Sequence, residues 1–425
     1  MDSSREARFS KIPTKRSSVA SHIPLEVITE ILAKLPVKSL LKFRAVCMSW
    51  CSLISSRQFV RKHLSRNITS TPKRLIHLRS NDLTFYSLHD SVLVEESSSI
   101  EFPLTQNYNL YCGINKMLPV LPSSAVMNLM IMGYCDGLLC VKAYTSCTSL
   151  IFLWNPSIRD SKLLPYTLGV IQNYHNITCC GFGYDFNRDN YKVLIVVPPV
   201  VSSNNSRDSS FKSMIYTLRT NSWRRIQDFP FNDIYFEGAD MSATLVSGAL
   251  HWMVRNREGG MDSWQIICFD LTTETYMEVV KPDYYRVNQF PGVGIGASNT
   301  DCLCFLAYNR AGQTYEFWVM KEYGVKESWT LSAKISYLYG LRPVTWFTEN
   351  GEILFIHIDG KLTIYNVNYN SVTYLHQIPN GYSSTRGDVY VESLVSPNAY
   401  SDDGANDISS FNIHVGGMRR VLRNA

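Results

Sequence analysis

The sequence predicts an α+β multidomain chain: a small all-α segment near the N-terminus, then a much larger all-β domain. Two observations carry this. Apolar residues recur at helical spacing between residues 23 and 64, and from about residue 72 onward aromatic-rich, strand-like segments separated by turn residues take over. Composition agrees, since the 425 residues are 45% apolar and 12% aromatic but only 18% charged, as suits a folded, β-rich chain.

Residues 1–20 are polar and serine-rich, lack the apolar stretch of a signal peptide, and are expected to form a disordered leader. No run of eighteen apolar residues occurs, so no helical membrane span is expected. The 11 cysteines have neither framework spacing nor a CxxC pair. They read as reduced thiols used as small core hydrophobes, which points to a cytoplasmic and/or nuclear protein. No cofactor and no metal are expected.

The net charge of +5 is unevenly spread. Residues 1–66 hold 13 Lys/Arg against 4 Asp/Glu, leaving 28 against 32 for the remainder. A nucleic-acid binder should carry its basic stripe on the binding domain. Here the cations decorate a short helical segment, which suits an acidic protein partner at least as well, and no nucleic-acid partner is expected.

Pro24 suits a helix start, and Leu25, Ile28, Ile31, Leu32 and Leu35 then follow at helical spacing until Pro36 ends the run. A second helix is expected around Leu40 and Leu41, and a third carrying Val46, Cys47 and Trp50. Phe59, Val60 and Leu64 continue the pattern after a polar break at Ser55–Ser56. Such short helices cannot cover so many Leu, Ile and Trp side chains among themselves. Some of that surface must meet something else.

Downstream, one strand–turn–strand pattern returns six times, anchored at Phe85, Trp154, Tyr216, Phe269, Trp318 and Tyr365. The spacings are 69, 62, 53, 49 and 47 residues, and the later ones match a four-stranded blade. A second hairpin precedes most copies, with Gly, Asn or Asp at its turn, as in residues 133–144, 245–254, 297–308 and 347–358. Hairpin plus hairpin makes a blade, so an all-β propeller-like domain of about six to seven blades is expected, with a two-sheet sandwich as the alternative. The alternating segment Asp388–Val395 is expected to close the ring against residues 75–78 (LIHL). Residues 106–128 and 198–210 read as long loops, where binding residues commonly sit.

The N-terminal segment resembles an F-box of the plant type, through Pro24, Glu26, Glu30-Ile31-Leu32, Leu35-Pro36-Val37-Lys38-Ser39-Leu40-Leu41, Phe43-Arg44, Val46-Cys47 and Trp50. Ile23, Ala45, Met48 and Cys51 depart from the pattern, the last two by removing positive charge. The resemblance implies docking to an SKP-type adaptor and, through it, indirectly to a cullin. Pro24, Leu25, Ile28, Ile31, Leu32, Leu35, Pro36, Leu40, Leu41, Val46, Cys47 and Trp50 are the expected docking residues. The later strands resemble the F-box-associated domain, a kelch-like propeller. The residues are Trp154-Asn155-Pro156-Ser157 with Arg159, Gly181-Phe182-Gly183-Tyr184-Asp185, Tyr191-Lys192-Val193, Tyr216 through Arg224, Gly248 through Trp252 and Phe269-Asp270-Leu271.

The resulting division is leader 1–20, F-box 21–66, F-box-associated domain 72–397 and flexible tail 398–425. The resemblance implies a non-catalytic, substrate-recruiting subunit of a ubiquitin ligase whose target protein the sequence does not name. No P-loop, HExxH or GxSxG occurs. Gly292, Gly294 and Gly296 are followed by strand-like residues, not by the helix a phosphate loop needs. The alternatives are a carbohydrate-binding or enzymatic propeller, supported by 25 Tyr and 8 Trp, and an F-box protein acting outside a ligase.

Overall fold

The computed structural model describes residues 23–70 and, outside several inter-strand segments, residues 74–399; within 74–128 the backbone pairing alone is described. Residues 1–22, the side chains of 106–128, residues 199–209 within the expected 198–210 loop, and the tail beyond 399 lie outside the described residues. The chain divides into two compact units, Met1–Thr69 and Ser70–Ala425.

Among its described residues the first unit holds four helices: α1 (Leu25–Leu32), α2 (Val37–Phe43), α3 (Met48–Ser55) and α4 (Arg57–Ser70). Pro24 and Pro36 sit just ahead of α1 and α2, with extended ψ values of 144° and 150°. Each offers its carbonyl to the first turn, where its own missing N–H costs nothing. Ser56 turns the chain between α3 and α4, and its hydroxyl accepts from the Phe59 N–H at 3.3 Å. Leu32, Ala33, Val37, Leu40, Ile54, Phe59 and Leu64 form the core. His63 is buried with them, bonded to the Leu35 carbonyl at 2.9 Å and stacked on Phe59. Lys62 and Arg66 of α4 both bond Glu30 of α1, tying the last helix to the first and holding the Glu30 carboxyl below its ordinary pKa.

The second unit is built from antiparallel four-stranded sheets. The first contains β1 (Arg74–Leu78), β2 (Leu83–His89) and β3 (Val92–Ile100). A separate hairpin, β4 (Asn109–Cys112) with β5 (Lys116–Pro119), occupies the long first repeat spacing in place of a seventh blade. Next come β6 (Val126–Cys135), β7 (Leu138–Thr145), β8 (Ser149–Asn155) and β9 (Asp160–Leu163), then β10 (Cys179–Asp185), β11 (Asn190–Val197), β12 (Lys212–Thr217) and β13 (Ser222–Arg225). In the fourth sheet the inner edge is split. Here β14 (Ile234–Phe236) and β15 (Thr244–Val246) pair with opposite ends of β16 (Ala249–Asn256), followed by β17 (Ser263–Asp270) and β18 (Thr275–Val279).

The fifth sheet is β19 (Gly292–Ser298), β20 (Leu303–Asn309), β21 (Thr314–Met320) and β22 (Trp329–Ser336). The sixth is β23 (Leu341–Phe347), β24 (Glu352–His357), β25 (Lys361–Asn366) and β26 (Ser371–Gln377). A short parallel pairing of β19 with β23 joins these two. The final strand, β27 (Gly387–Tyr390), returns to the first sheet and pairs with β1, Leu75 opposite Val389 and Ile76 opposite Asp388. The innermost strands neighbour one another in cyclic order, and β27 meets β23 while β1 meets β6, so the ring of six closes. The expected partner of the closing strand is therefore correct, but the strand ends at Tyr390 and not at Val395.

All six repeat anchors fall on the third strand of a blade: β2, β8, β12, β17, β21 and β25. Phe269, Trp318 and Tyr365 among them pack in seams where adjacent blades face each other. Leu194, Val196 and Ile215 of the third blade pack on Leu250, Trp252, Ile267 and Phe269 of the fourth. Cys268 and Ile266 meet Phe305 and Trp329 across the next seam, and Phe317 and Tyr315 meet Phe355 and Tyr365 across the one after. Three indoles also donate backward across a seam: Trp223 to the Pro165 carbonyl, Trp252 to Cys180 and Trp329 to Val280, at 2.9, 3.1 and 2.9 Å. A tryptophan thus gives large apolar area and one directed bond, which fixes blade-to-blade rotation. The glycine run at Gly292 is inner strand β19, as its strand-like surroundings predicted.

Candidate functional site

Two regions bear on function. The first is the surface of the four-helix unit. Of the expected docking residues, Pro24, Leu25, Ile31, Pro36, Val46 and Cys47 are exposed, whereas Ile28, Leu35, Leu41 and Trp50 are half-buried. Leu32 and Leu40, 2% and 0% exposed, belong to the unit's own core instead. On α1 Leu32 is turned inward while Leu25, at one end of the same helix, and Ile31, one residue before Leu32, stay in solvent. Trp50 packs edge-on against Phe43 with ring centroids 5.6 Å apart, which fixes the turn carrying Val46.

Three further apolar side chains, Ile23, Val27 and Met48, are 59%, 45% and 74% exposed and were not among the expected docking residues. Their signal lay in the departures from the F-box pattern at Ile23 and Met48. A unit of four short helices that leaves six large apolar side chains in water, Leu25, Ile31 and Val46 among them, exposes more apolar surface than its own helices cover. Lys34, Lys38 and Lys42 of the same unit are exposed as well.

The second region is the propeller. The second, third and fourth blades present tight turns at one end, between first and second and between third and fourth strands. Positive φ at Asp136, Arg159, Asp189, Asn221, Ser247 and Glu274 lets these turns close. The turns are bonded from blade to blade. The Tyr191 hydroxyl donates to Asp136 at 2.9 Å, and the Ser247 N–H donates to Asp301 at 2.9 Å. Lys192 of the third blade, almost wholly buried, bonds Asp185 at 2.8 Å, the Leu271 carbonyl at 2.5 Å and Glu274 at 2.9 Å. Burial pushes the Asp185 carboxyl up, but the Lys192 ammonium outweighs it and holds the group below its ordinary range.

His251 lies deep at the same end. Its Nδ1 faces the Ala249 and Thr244 carbonyls at 3.1 and 3.3 Å, so that nitrogen carries the proton, and Nε2 accepts from the Tyr323 hydroxyl at 2.8 Å. Burial lowers its pKa to about 4, leaving it a neutral structural group. Among the described residues no cluster of three His, Cys, Asp or Glu could hold a metal ion. The described cysteines are free thiols, and burial pushes those at 140, 179 and 304 upward, away from nucleophilic reactivity. No described helix is long and apolar enough to cross a membrane.

The strands' opposite ends are joined by the longer sequence intervals, among them those between β11 and β12 and between β18 and β19. Strand direction sets this division. The chain enters β1 and leaves β27 at the turn end, because those strands occupy the second and first positions of their blade.

Comparison with known proteins agrees with this architecture. Residues 20–62 match the F-box domain and residues 83–397 match the F-box associated beta propeller domain. F-box/kelch-repeat protein At3g23880 of Arabidopsis thaliana is 28% identical over 399 residues, covering 91% of this chain and 99% of that protein. F-box protein At3g07870 and F-box protein CPR1, both of Arabidopsis thaliana, are 29% and 26% identical; the matches cover 78% and 88% of this chain and the same shares of those proteins. The chain belongs to the plant-type F-box proteins that carry an F-box associated beta propeller domain.

Proposed function

We propose that this chain is the substrate-recruiting subunit of an SKP-adaptor/cullin/F-box ubiquitin ligase and transfers nothing itself. The observation that carries the reading is the exposed apolar surface of the four-helix unit, with Leu25, Ile31 and Val46 57%, 52% and 61% exposed. Exposed aliphatic groups at this density favour a protein partner that excludes water from them, and the exposed lysines of the same unit favour an acidic one. An SKP-type adaptor bound there would link the chain indirectly to a cullin, in the cytoplasm and/or nucleus.

Target capture is assigned to the propeller, at the end carrying the long connections. The tight turns at the other end are occupied in bonding blade to blade, whereas long connections on a rigid ring are free to vary in sequence. Catalysis then amounts to proximity, because holding the target beside a charged conjugating enzyme raises the local concentration of its lysines. Reconstitution with purified adaptor, cullin, ring-type partner and conjugating enzyme tests this. Ubiquitin transfer should require the adaptor and this chain together. Transfer that proceeds without the adaptor would contradict the reading.

A further inference from the structure

After β27 the chain runs across the turn end onto the second blade as a strap. Asn155 Nδ2 donates to the Ser393 carbonyl at 3.0 Å and the Val395 carbonyl at 2.8 Å, and the Val391 N–H donates to the Tyr134 hydroxyl at 2.9 Å. The strap ends at Ser396. Its hydroxyl donates to the Asp160 carboxylate at the start of β9 and accepts from the Asn398 N–H at 3.1 Å. Asn398 also donates its carboxamide to Asp160 at 2.7 Å and to the Ser161 carbonyl at 3.1 Å. Ser396 is half-buried, Asn398 and Ala399 are exposed, and Pro397 follows Ser396 directly.

Of the 17 prolines, two follow a serine or threonine: Pro397 after Ser396 and Pro72 after Thr71. These two dipeptides flank the closing blade in sequence, just outside β1 and β27. We propose that Ser396 is a phosphorylation site for a proline-directed serine/threonine kinase, and that its phosphate releases the end of the strap that closes the propeller. The Ser396 Oγ attacks the γ-phosphorus of ATP, the bond to the bridging oxygen breaks, ADP leaves and the hydroxyl proton passes to solvent.

The product cannot fit the site as it stands. A hydroxyl that donates to Asp160 becomes a group of charge about −1.5 to −2 that can only accept. It then lies against a carboxylate with which it shares no proton, so repulsion replaces a bond and Asn398 loses its ordered acceptors. Because Ser396 is half-buried and Pro397 is buried, the kinase meets them when the 396–399 end opens, and the phosphate then holds that opened state. Arg159 and Lys162 flank Asp160 in sequence and are the nearest cations along the chain. Capture of the phosphate by either would give the opposite sign.

The test uses the full-length chain in a Thr71→Ala background, treated with a proline-directed kinase and Mg-ATP. Peptide mapping should place one phosphate on Ser396. The phosphorylated protein should melt about 3–8 °C lower and lose its C-terminal residues to protease faster. In Asp160→Asn the drop should shrink to less than half, since the repelling charge is gone. Three results would overturn the proposal: an unmodified Ser396, an unchanged or raised melting point, or an equal drop in Asp160→Asn.

Discussion

Asn155 and Ser393 lie 238 residues apart in sequence, and the Asn155 carboxamide donates to both the Ser393 carbonyl and its hydroxyl, at 3.0 and 3.1 Å, in a wholly buried setting. The same carboxamide oxygen accepts from the Ser157 N–H at 2.9 Å and the Tyr390 hydroxyl at 3.2 Å. One side chain therefore forms a turn of the second blade and receives the strap leaving the first.

Asn155→Ala removes all these bonds and leaves the Ser393 and Val395 carbonyls buried without this donor. The expected loss is about 2–4 kcal/mol of stability, read by urea denaturation. Gly137→Ala should act on the same contact from the other side. Gly137 has φ +79°, and a Cβ there would stand 2.2 Å from the Ser393 hydroxyl, so the strap must move. Truncation after Ala399 should leave the melting point nearly unchanged, whereas truncation after Gly387 removes most of β27 and exposes the edge of β1. Equal melts for the two truncations would count against ring closure by this strand.

Replacing Lys192 by Met should cost about 3–5 kcal/mol, because Asp185, whose side chain is 0% exposed, loses its buried counter-ion. Arg188, also paired with Asp185 but 58% exposed, should cost less than about 1 kcal/mol when changed to Ala. The depressed Asp185 carboxyl contributes stability above its unfolded pKa of about 3.9. That contribution is lost as pH falls through the lower folded value. Wild-type denaturation curves should therefore weaken in that acid range, and the Met variant should lack this part of the slope.

His251 gives a separate pH signature. Its folded pKa is about 4, so the unfolded chain, at about 6.5, takes up a proton first as pH falls. The contribution is complete above pH about 6.5 and shrinks as pH falls toward 4, amounting to at most about 3 kcal/mol. His251→Gln should be less stable at pH 7.5 but show a flatter pH dependence between 6.5 and 4 in chemical denaturation. An unchanged slope would place the titrating group elsewhere.

Much of the propeller was legible because its determinants are local. The anchors from Phe85 to Tyr365 mark third strands through an apolar pair followed by a polar turn, and the turn glycines mark hairpins. Residues 75–78 were identifiable as the closing partner because an alternating segment at the other end of the domain needed one. The extent of the closing strand was not legible. Val391 to Val395 alternate as a strand would, yet the Val391 N–H is satisfied by the Tyr134 hydroxyl and Val395 binds Asn155, contacts set by tertiary placement alone. In the helical unit, periodicity grouped Leu25, Ile31 and Leu32 as apolar but did not say which would turn inward. The arrival of α4, with Phe59 and Leu64, decides that by enclosing the core with Leu32 and Leu40.

That inside–outside division separates two kinds of variant in the docking unit. Leu40→Ala should cost about 2–5 kcal/mol of stability in the helical unit, since it opens a cavity among Leu32, Ile54 and Phe59. Circular dichroism of the full chain should show helical signal lost at lower temperature while the β signal persists.

The central claim, that the exposed apolar surface of the four-helix unit docks an SKP-type adaptor, is tested most directly by titrating purified adaptor into the full chain and into Ile31→Ala/Val46→Ala. Both side chains are more than half exposed, so the double variant should keep its helical content and melting point. Its affinity for the adaptor should fall roughly 30- to 1000-fold, the loss of about 2–4 kcal/mol expected for apolar anchors at an interface centre. An equally folded double variant that binds the adaptor as tightly as the unaltered chain would contradict the account.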